Sequence, residues 1–208
     1  MLAKGTPIYL AILPASAIAG VFIFWILDAP WILVLSALMF ALYMIIISFF
    51  RDPERDISEG IVSPADGRIM EIETRGREVK ISIFMSIWDV HVNRAPTDCT
   101  VLSKERHPGG YVPAFNKESE RNERVEYTLS THFGRMSLVQ IAGALARRII
   151  PYVEAGDRLS AGDRLGLIRF GSRVDLVFRL PSGWSVRVDK GDKTTAGVTV
   201  LAERREEG

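Results

Sequence analysis

The pair Gly171-Ser172 places a backbone carbonyl directly before a hydroxyl group, within the segment Arg-Phe-Gly-Ser-Arg near the C-terminus. If the serine oxygen attacks the Gly171 carbonyl carbon, the amide becomes an ester, and elimination leaves a dehydroalanine. Hydrolysis of the resulting imine would produce a pyruvoyl group at residue 172, which can act as an electron sink. Glycine suits this position because the absence of a Cβ permits close approach to its carbonyl. Most Gly-Ser pairs are ordinary turns, so the pair alone is a weak signal of self-cleavage.

Two further side chains can assist such a reaction. His91 follows an apolar strand-like run, and imidazole can take a proton from Ser172 near neutral pH and return it later. Asp66 can orient His91, as a carboxylate does in a serine-histidine-aspartate triad. The alternatives are that Asp66 is only a turn residue and that His91 is a buried core histidine. Arg94 is either a structural ion-pair partner or a binding group for an anionic substrate.

The first 50 residues form a candidate membrane hairpin. Residues 8–27 and 31–50 are apolar stretches of about 20 residues, the length that crosses a bilayer as helix, and only Asp28-Ala29-Pro30 separates them. Lys4, Arg51 and Arg55 flank the hairpin while its turn has no Lys or Arg, which predicts a cytoplasmic location for both ends. A secretory signal, a buried soluble hairpin and a shallow re-entrant hairpin are the alternatives.

Composition limits the functions available to the chain. Hydrophobic residues make up 48% and charged residues 25%, and the net charge of +1 gives no basis for nucleic-acid binding. Cys99 is the single cysteine, so neither an intramolecular disulfide nor a cysteine-based metal site is expected. Three scattered histidines lack paired ligand spacing, so no metal is predicted.

Residues 51–208 are predicted to form one mainly β (β-rich α+β) catalytic domain. Apolar runs that alternate or nearly alternate, typical of strands, occur at residues 67–72, 79–84, 174–178 and 184–188, whereas residues 141–150 suggest a helix. The segment Ala-Gly-Asp-Arg-Leu occurs at 155–159 and again at 161–165, and each Gly-Asp predicts a turn before a short strand. With the segment Ser63-Pro64-Ala65-Asp66-Gly67, which opens another strand upstream, this pattern is similar to the barrel-sandwich hybrids that carry lipoyl and biotinyl groups, so a domain of that kind is expected.

Four motifs occur in an order and spacing that resemble the short form of the phosphatidylserine decarboxylase family. They are Ser63-Pro64-Ala65-Asp66-Gly67, Asp89-Val90-His91-Val92-Asn93-Arg94-Ala95-Pro96, Arg121-Asn122-Glu123-Arg124 and Phe170-Gly171-Ser172. The resemblance covers essentially all of residues 51–208 and is much more specific than any single motif.

The resemblance implies a proenzyme that cuts itself into a β chain, residues 1–171, and an α chain, residues 172–208, whose first residue is pyruvoyl. The serine amine of phosphatidylserine would form a Schiff base with this group, carbon dioxide would leave, and phosphatidylethanolamine would be released without pyridoxal phosphate. Asp66, His91 and Ser172 are the implied maturation residues, and His91 is also the implied proton donor to the product. A homodimer of processed units is expected as well.

Two departures from the family pattern concern the site. Longer members have two histidines three residues apart, whereas this chain has His91 and then Arg94, so either His91 serves both roles or another group does. The cleavage segment is Phe-Gly-Ser-Arg where Leu-Gly-Ser-Thr is commoner, but Gly171-Ser172 is retained.

Other functions remain open at the level of sequence. A membrane-tethered lipoyl-like adaptor fits the Gly-Asp turns and predicts an intact chain. A decarboxylase acting on an ether lipid, archaetidylserine, fits the same motifs. A serine hydrolase would use Ser172 directly, but the Gly-x-Ser-x-Gly context is missing, and a zinc peptidase lacks its ligands.

Overall fold

The structure, a computed structural model, describes residues 1–110, 122–143, 148–169 and 172–205. Gly171 therefore lies outside the described residues. The chain divides into two compact units, Met1–Pro53 and Glu54–Gly208.

The first unit is a helical hairpin. A short 3₁₀ helix (Ile8–Ala11) precedes α1 (Ile12–Leu27), and α2 spans Pro30–Phe49. Asp28 adopts a left-handed conformation with φ 48° at the C-terminus of α1, and its N–H donates to the Phe24 carbonyl at 2.8 Å. The predicted antiparallel hairpin is confirmed, since α1 and α2 pack against each other and the Ala3 N–H donates to the Phe50 carbonyl at 2.8 Å.

The two helices differ in length. By length and composition, α2 can cross a membrane with its 20 residues. The continuous helix expected over residues 8–27 is instead divided into the 3₁₀ turn and the 16-residue α1. Pro14 lies in the first turn of α1, where its missing N–H costs no intrahelical hydrogen bond, so the α-helix begins just before it.

The second unit is built from strands, which confirms the prediction of a mainly β chain after a helical hairpin. Its described strands are β1 (Ile61–Val62), β2 (Gly67–Arg75), β3 (Glu78–Met85), β4 (Val92–Arg94), β5 (Cys99–His107), β6 (Arg124–Thr131), β7 (Gly134–Ile141), β8 (Ile149–Pro151), β9 (Arg158–Leu159), β10 (Arg164–Ile168), β11 (Ser172–Arg179), β12 (Trp184–Val186), β13 (Lys193–Thr194) and β14 (Val200–Arg204).

These strands form three antiparallel sheets among the described residues. The largest has the order β13-β2-β3-β11-β7-β6-β5-β9, and the smaller ones are β1-β14-β12 and β4-β10-β8. Alternate side chains of β11 enter the core, where Val174, Leu176 and Phe178 are at most 1% exposed. Because Ser172 has the same parity, its side chain lies on the core face of this central strand.

Two local predictions have different outcomes. Both Gly-Asp turns are confirmed, since the Asp157 and Asp163 carboxylates accept the N–H groups of Glu154 and Ser160 before β9 and β10. The helix suggested for residues 141–150 is wrong where the structure describes it, because β7 ends at Ile141 and β8 begins at Ile149. The pattern of a short apolar run does not by itself distinguish a strand from a helix.

Candidate active site

Three segments bring the predicted residues to one end of the large sheet. Ser172, the first residue of β11, lies opposite Met85, the last residue of β3. Asp66 directly precedes β2, which pairs with β3 on its other side. The connector that leads from β3 to His91 begins at this same end. The antiparallel register therefore gathers residues that are about a hundred positions apart in the sequence.

Ser172 is completely buried. Its Oγ donates a hydrogen bond to the Sδ of Met85 at 3.4 Å, and both side chains are 0% exposed. A thioether is a weak acceptor, so the hydroxyl is held in place without the stabilisation that an oxygen acceptor would provide. Burial also keeps bulk water from the hydroxyl, which favours reaction with the chain over reaction with solvent.

His91 is also 0% exposed, and its ring is oriented by the backbone. Nδ1 lies 2.8 Å from the carbonyl oxygen of Asp89. Because a carbonyl oxygen only accepts, Nδ1 must carry the hydrogen, and Nε2 is the nitrogen of the neutral ring that can take a proton. The His91 carbonyl accepts the Ile168 N–H at 3.2 Å, only four residues before Ser172.

Asp66 has partners other than the one suggested by the sequence. One carboxylate oxygen accepts from the Arg55 guanidinium at 2.8 Å, and the other accepts the Ala196 N–H at 2.8 Å. Among the described residues, the carboxylate makes no hydrogen bond to His91, whose ring is instead oriented by Asp89. The Arg55–Asp66 ion pair is nearly buried, with side-chain exposures of 9% and 14%.

Arg94 and Asn93 point in opposite directions from β4. One guanidinium nitrogen of Arg94 donates to the Gly162 carbonyl at 2.9 Å, at the second Gly-Asp turn. The Asn93 side chain instead faces Met85, since its Nδ2 lies 3.5 Å from the Met85 Sδ. Asn93 and Ser172 therefore contact the same atom, the Met85 Sδ. Asn93 lies within the motif that contains His91, but the sequence alone did not indicate this contact.

Arg173, the residue that departs from the commoner threonine, is tied to its own strand. Its guanidinium forms a two-point hydrogen bond with the Asp175 carboxylate, at 2.6 and 2.5 Å, and both residues are 4% exposed. Lys80 approaches the same carboxylate at 3.6 Å. The ion pair with Asp175 explains why an arginine can occupy position 173, and the Gly-Ser pair before it is retained.

Two buried groups have raised pKa values. Burial, with a smaller effect of the nearby Asp98 charge, raises the pKa of the Cys99 thiol to about 11, so this thiol is protonated at neutral pH. Burial also raises the pKa of the Tyr127 hydroxyl, which therefore remains a hydrogen-bond donor. Within the described residues no cluster of three or more His, Cys, Asp or Glu side chains is arranged to hold a metal ion.

The fold and the site define a β-domain with a hydrophobic helical hairpin, in which a buried serine at a strand start lies on the sheet end that carries an oriented histidine. The profile of the family described as phosphatidylserine decarboxylase matches residues 42–202. The phosphatidylserine decarboxylase proenzyme of Streptomyces avermitilis is 56% identical over 153 residues, which cover 73% of this chain and 70% of the relative. A Methanosarcina acetivorans protein named "Putative archaetidylserine decarboxylase proenzyme" is 40% identical over 206 residues, which cover 97% of this chain and 96% of the relative.

The chain belongs to the phosphatidylserine decarboxylase family. It is therefore a pyruvoyl-dependent carboxy-lyase of phospholipid biosynthesis that is made as a proenzyme. The same finding favours an enzyme over the lipoyl-like adaptor.

Proposed function

We propose that this protein decarboxylates phosphatidylserine to phosphatidylethanolamine and carbon dioxide, after it has cut its own chain before Ser172. The observation that carries the assignment of the site is the complete burial of Ser172 at the sheet end that also carries His91. In the uncut chain, burial of both groups supports a reaction within the chain, because bulk solvent does not compete with the Ser172 hydroxyl before cleavage.

Maturation would proceed through the chain's own atoms. The Ser172 Oγ attacks the carbonyl carbon of residue 171 while His91 Nε2 takes the hydroxyl proton, and the C–N bond breaks as the ester C–O bond forms, with the freed nitrogen taking that proton back from His91. A base then removes the Cα proton of residue 172, the carboxylate of residue 171 leaves from Cβ, and the dehydroalanine tautomerises to an imine. Addition of water to the resulting imine releases ammonia and leaves the new carbonyl. The products are the β chain, residues 1–171, and the α chain, residues 172–208.

The surroundings of residue 172 fit the pyruvoyl group. Serine and pyruvoyl have the same number of carbon atoms, and the Met85 thioether that touches the serine side chain suits a methyl group equally well. The group supplies a ketone conjugated to an amide, which accepts the electron pair released with carbon dioxide. His91 would hold and return the proton that the product carbon needs, and the buried site would exclude competing water.

Asp66 would assist maturation by holding the future α chain in place. Its carboxylate accepts from Ala196, while the carbonyl of the adjacent Ala65 accepts the Thr194 hydroxyl at 3.0 Å. Both donors belong to residues 172–208, which also supply β11 at the centre of the large sheet. After cleavage the α and β chains would remain interlocked through these strand pairings.

Two cations are better placed than Arg94 to bind the lipid headgroup. Arg68 and Lys193 lie directly opposite each other on β2 and β13 and line a cavity of about 530 Å³, together with Trp88. Like charges directly opposite each other repel, so an anion between them would be stabilising. The Asp66 and Asp89 carboxylates also line the cavity, but both accept hydrogen bonds from protein groups. Arg94 remains a proposal for substrate binding, and its contact with Gly162 favours a structural role.

The hairpin supports attachment to the cell membrane with the catalytic domain on the cytoplasmic face. Lys4, Arg51 and Arg55 flank the hairpin, and its turn carries no positive charge. A reporter fused to the C-terminus tests this side: an alkaline phosphatase fusion should be inactive and a fluorescent protein fusion bright, and the opposite pattern would overturn it.

Assembly of processed units into a homodimer is proposed from the family alone, and mass photometry of the detergent-solubilised enzyme tests it.

An ether lipid is the second candidate substrate. The observation that favours it is the alignment with the Methanosarcina acetivorans relative, which extends over 97% of this chain at 40% identity. The headgroup is the same serine phosphate in both lipids, so the chemistry at residue 172 does not distinguish them.

Release of carbon dioxide from carboxyl-labelled lipid tests the function directly. Full-length protein in mixed micelles should decarboxylate phosphatidylserine, and its Ser172→Ala variant should not. The diether analogue, measured in parallel, decides between the two lipids by the ratio of kcat/KM. A processed, folded protein that releases no carbon dioxide from either lipid would overturn the proposed substrate class. Arg68→Ala and Lys193→Ala should raise KM for the lipid without changing self-cleavage.

A further inference from the structure

A chain of buried polar side chains extends from Tyr127 to the residue that is cleaved. The Tyr127 hydroxyl donates to Gln140 Oε1 at 2.9 Å, and Gln140 Nε2 donates to Asn93 Oδ1 at 2.7 Å. Asn93 Nδ2 donates to the Met85 Sδ at 3.5 Å, and the same sulfur accepts from Ser172 Oγ at 3.4 Å. All five side chains are 0% exposed, so none of these contacts competes with bulk solvent.

The direction of every hydrogen bond in this chain is fixed from its sulfur end. A thioether sulfur only accepts, so Asn93 must turn its NH₂ group toward Met85 and its oxygen toward Gln140. Gln140 must then present its own NH₂ group to Asn93, which leaves its oxygen for the Tyr127 hydroxyl. Tyr127 is therefore the donor that completes the sequence. The acceptor at position 85 thus fixes the orientation of both amides, and the Tyr127 hydroxyl supplies the donor that the Gln140 oxygen then needs.

Neighbouring residues leave room for this arrangement. A Cβ added at Gly166 would lie 3.0 Å from Gln140 Nε2 and 3.1 Å from its Oε1, so only glycine leaves enough space for the Gln140 amide at this position. Gly166 also pairs with Asn93 between β10 and β4. Asn93 and Gln140 are thus held by strands on different sheets, which fixes their separation more firmly than a loop would.

We propose that the chain Tyr127–Gln140–Asn93–Met85 positions the Ser172 hydroxyl for its attack on the preceding carbonyl. These are positioning residues, since they act on Ser172 through Met85 and exchange no proton with it. The inference rests on the proposed function, because it assumes that Ser172 cleaves the chain. The proposal also gives Asn93 a role at this site. Its neighbour Arg94 instead directs its guanidinium to the Gly162 carbonyl.

Loss of the donor at position 127 should slow self-cleavage. In Tyr127→Phe the ring keeps its volume, but the buried Gln140 oxygen loses its donor, so the two amides and the Met85 side chain can shift from their positions. Misplacement of a reacting group by about 1 Å can cost roughly 100-fold in rate, so we expect cleavage about 10- to 100-fold slower. Replacement of Tyr127 by 4-aminophenylalanine restores a donor at the same position and should restore most of the rate.

The measurement is a pulse-chase of full-length protein synthesised into nanodiscs, in which the appearance of the short fragment gives the half-time of cleavage. Leu129→Val is the matched control, since Leu129 lies on the same strand and the same core face as Tyr127 but outside the polar chain. Melting temperatures of all variants show whether each is folded. Tyr127→Phe removes one oxygen atom and is the mildest change; Gln140→Leu is the stronger one.

The inference is supported if the Phe and Leu variants cleave slowly, the 4-aminophenylalanine protein cleaves near the wild-type rate, and Leu129→Val is normal. It is overturned if folded Tyr127→Phe and Gln140→Leu mature at the wild-type rate. It is also overturned if Leu129→Val slows cleavage equally at the same loss of melting temperature. An intact wild-type chain would instead contradict the proposed function itself, and this inference would fall with it.

Discussion

Ser172 combines complete burial with a hydrogen bond to sulfur, and this combination suits a hydroxyl that must react once. An oxygen acceptor would stabilise the unreacted hydroxyl more strongly, whereas the Met85 thioether holds it at 3.4 Å with little stabilisation. His91 receives its orientation from the Asp89 carbonyl, which fixes the tautomer without a second charge in the site. The reactive groups are thus positioned mainly by neutral partners.

The charge of Asp66 can be separated from its ion pair by two substitutions. Asp66→Asn retains an oxygen for the Ala196 N–H but removes the charge, whereas Arg55→Met removes only the cation. If the carboxylate charge assists maturation, Asp66→Asn should slow cleavage at least about 10-fold, and Arg55→Met should slow it less. Both variants should lose about 1–3 kcal/mol of unfolding free energy. Equal cleavage rates for the two variants, measured by gel densitometry during the chase, would show that the carboxylate charge contributes to maturation no more than its ion pair with Arg55 does.

The thiol of Cys99 should be unreactive in the folded protein. Burial raises its pKa from 9.0 to about 11, so at pH 8 the thiolate fraction is about 100-fold lower than in the unfolded chain. Because the raised pKa belongs to the folded state, this group lowers folding stability only as pH rises above 9.0. Alkylation by iodoacetamide, followed by mass spectrometry, should be at least about 100-fold slower without denaturant than in guanidinium. Rapid labelling of the native protein at pH 8 would contradict the buried position.

At the level of elements, the start of β2 depends on a glycine. A Cβ at Gly67, where φ is 150°, would lie 2.0 Å from the Phe84 carbonyl oxygen. The close approach of β2 to β3 beside the site therefore requires a residue without a Cβ at position 67. Gly67→Ala should cost about 2–5 kcal/mol of unfolding free energy from overpacking and backbone strain, and it should impair cleavage.

Gly76→Ala is the control for this substitution. Gly76 also has a positive φ, of 63°, but nothing lies within 4 Å of an added Cβ, so the cost should be only about 1 kcal/mol. Thermal denaturation of the two variants measures the difference. Equal melting temperatures would show that the close approach at Gly67 has no energetic consequence.

The strands could be predicted from sequence where their patterns were strong. The runs at 67–72, 79–84 and 174–178 fall within β2, β3 and β11, and β12 covers the first three residues of the run at 184–188. The helix predicted for residues 141–150 is wrong because the described strand residues within that range are only Ile141 of β7 and Ile149 and Ile150 of β8, too few to show an alternating pattern. The division of the first helix near Pro14 follows from a local property of proline, yet length alone suggested a continuous span.

Across the whole molecule, the hairpin should make the protein an integral membrane component. Full-length protein should stay in the membrane pellet after carbonate extraction and leave it only with detergent. The double variant Leu38→Arg/Ile45→Arg places two charges on exposed positions of α2 and should shift protein to the supernatant, at about 2.5–3.5 kcal/mol per charge. Leu38→Ala/Ile45→Ala is the size control and should remain in the pellet. Extraction of the unmodified protein by carbonate alone would contradict a membrane-inserted hairpin.

The candidate site could be predicted only in part. Motifs report the types of the site residues but not the partners that each side chain contacts. Ser172, His91 and Asp66 come from short motifs, and the structure places them in segments that reach one end of the sheet. The contacts of Gln140 with Asn93 and Tyr127 were not predictable, since they join positions 47 and 13 residues apart with no motif around Gln140. Likewise, the pairing of Asp66 with Arg55 depends on the course of the chain before β1, where no pattern indicates it.

The central claim, that the chain cuts itself before Ser172 to create its own prosthetic group, is tested most directly by the intact mass of the purified protein. The spectrum is recorded before and after treatment with cyanoborohydride in the presence of phosphatidylserine. We predict two fragments that divide between residues 171 and 172, the smaller one blocked at its N-terminus and able to trap the substrate amine. The Ser172→Ala variant should give one intact chain and no adduct. A single unmodified chain in folded, membrane-bound wild-type protein, or a cut and active Ser172→Ala protein, would contradict the claim.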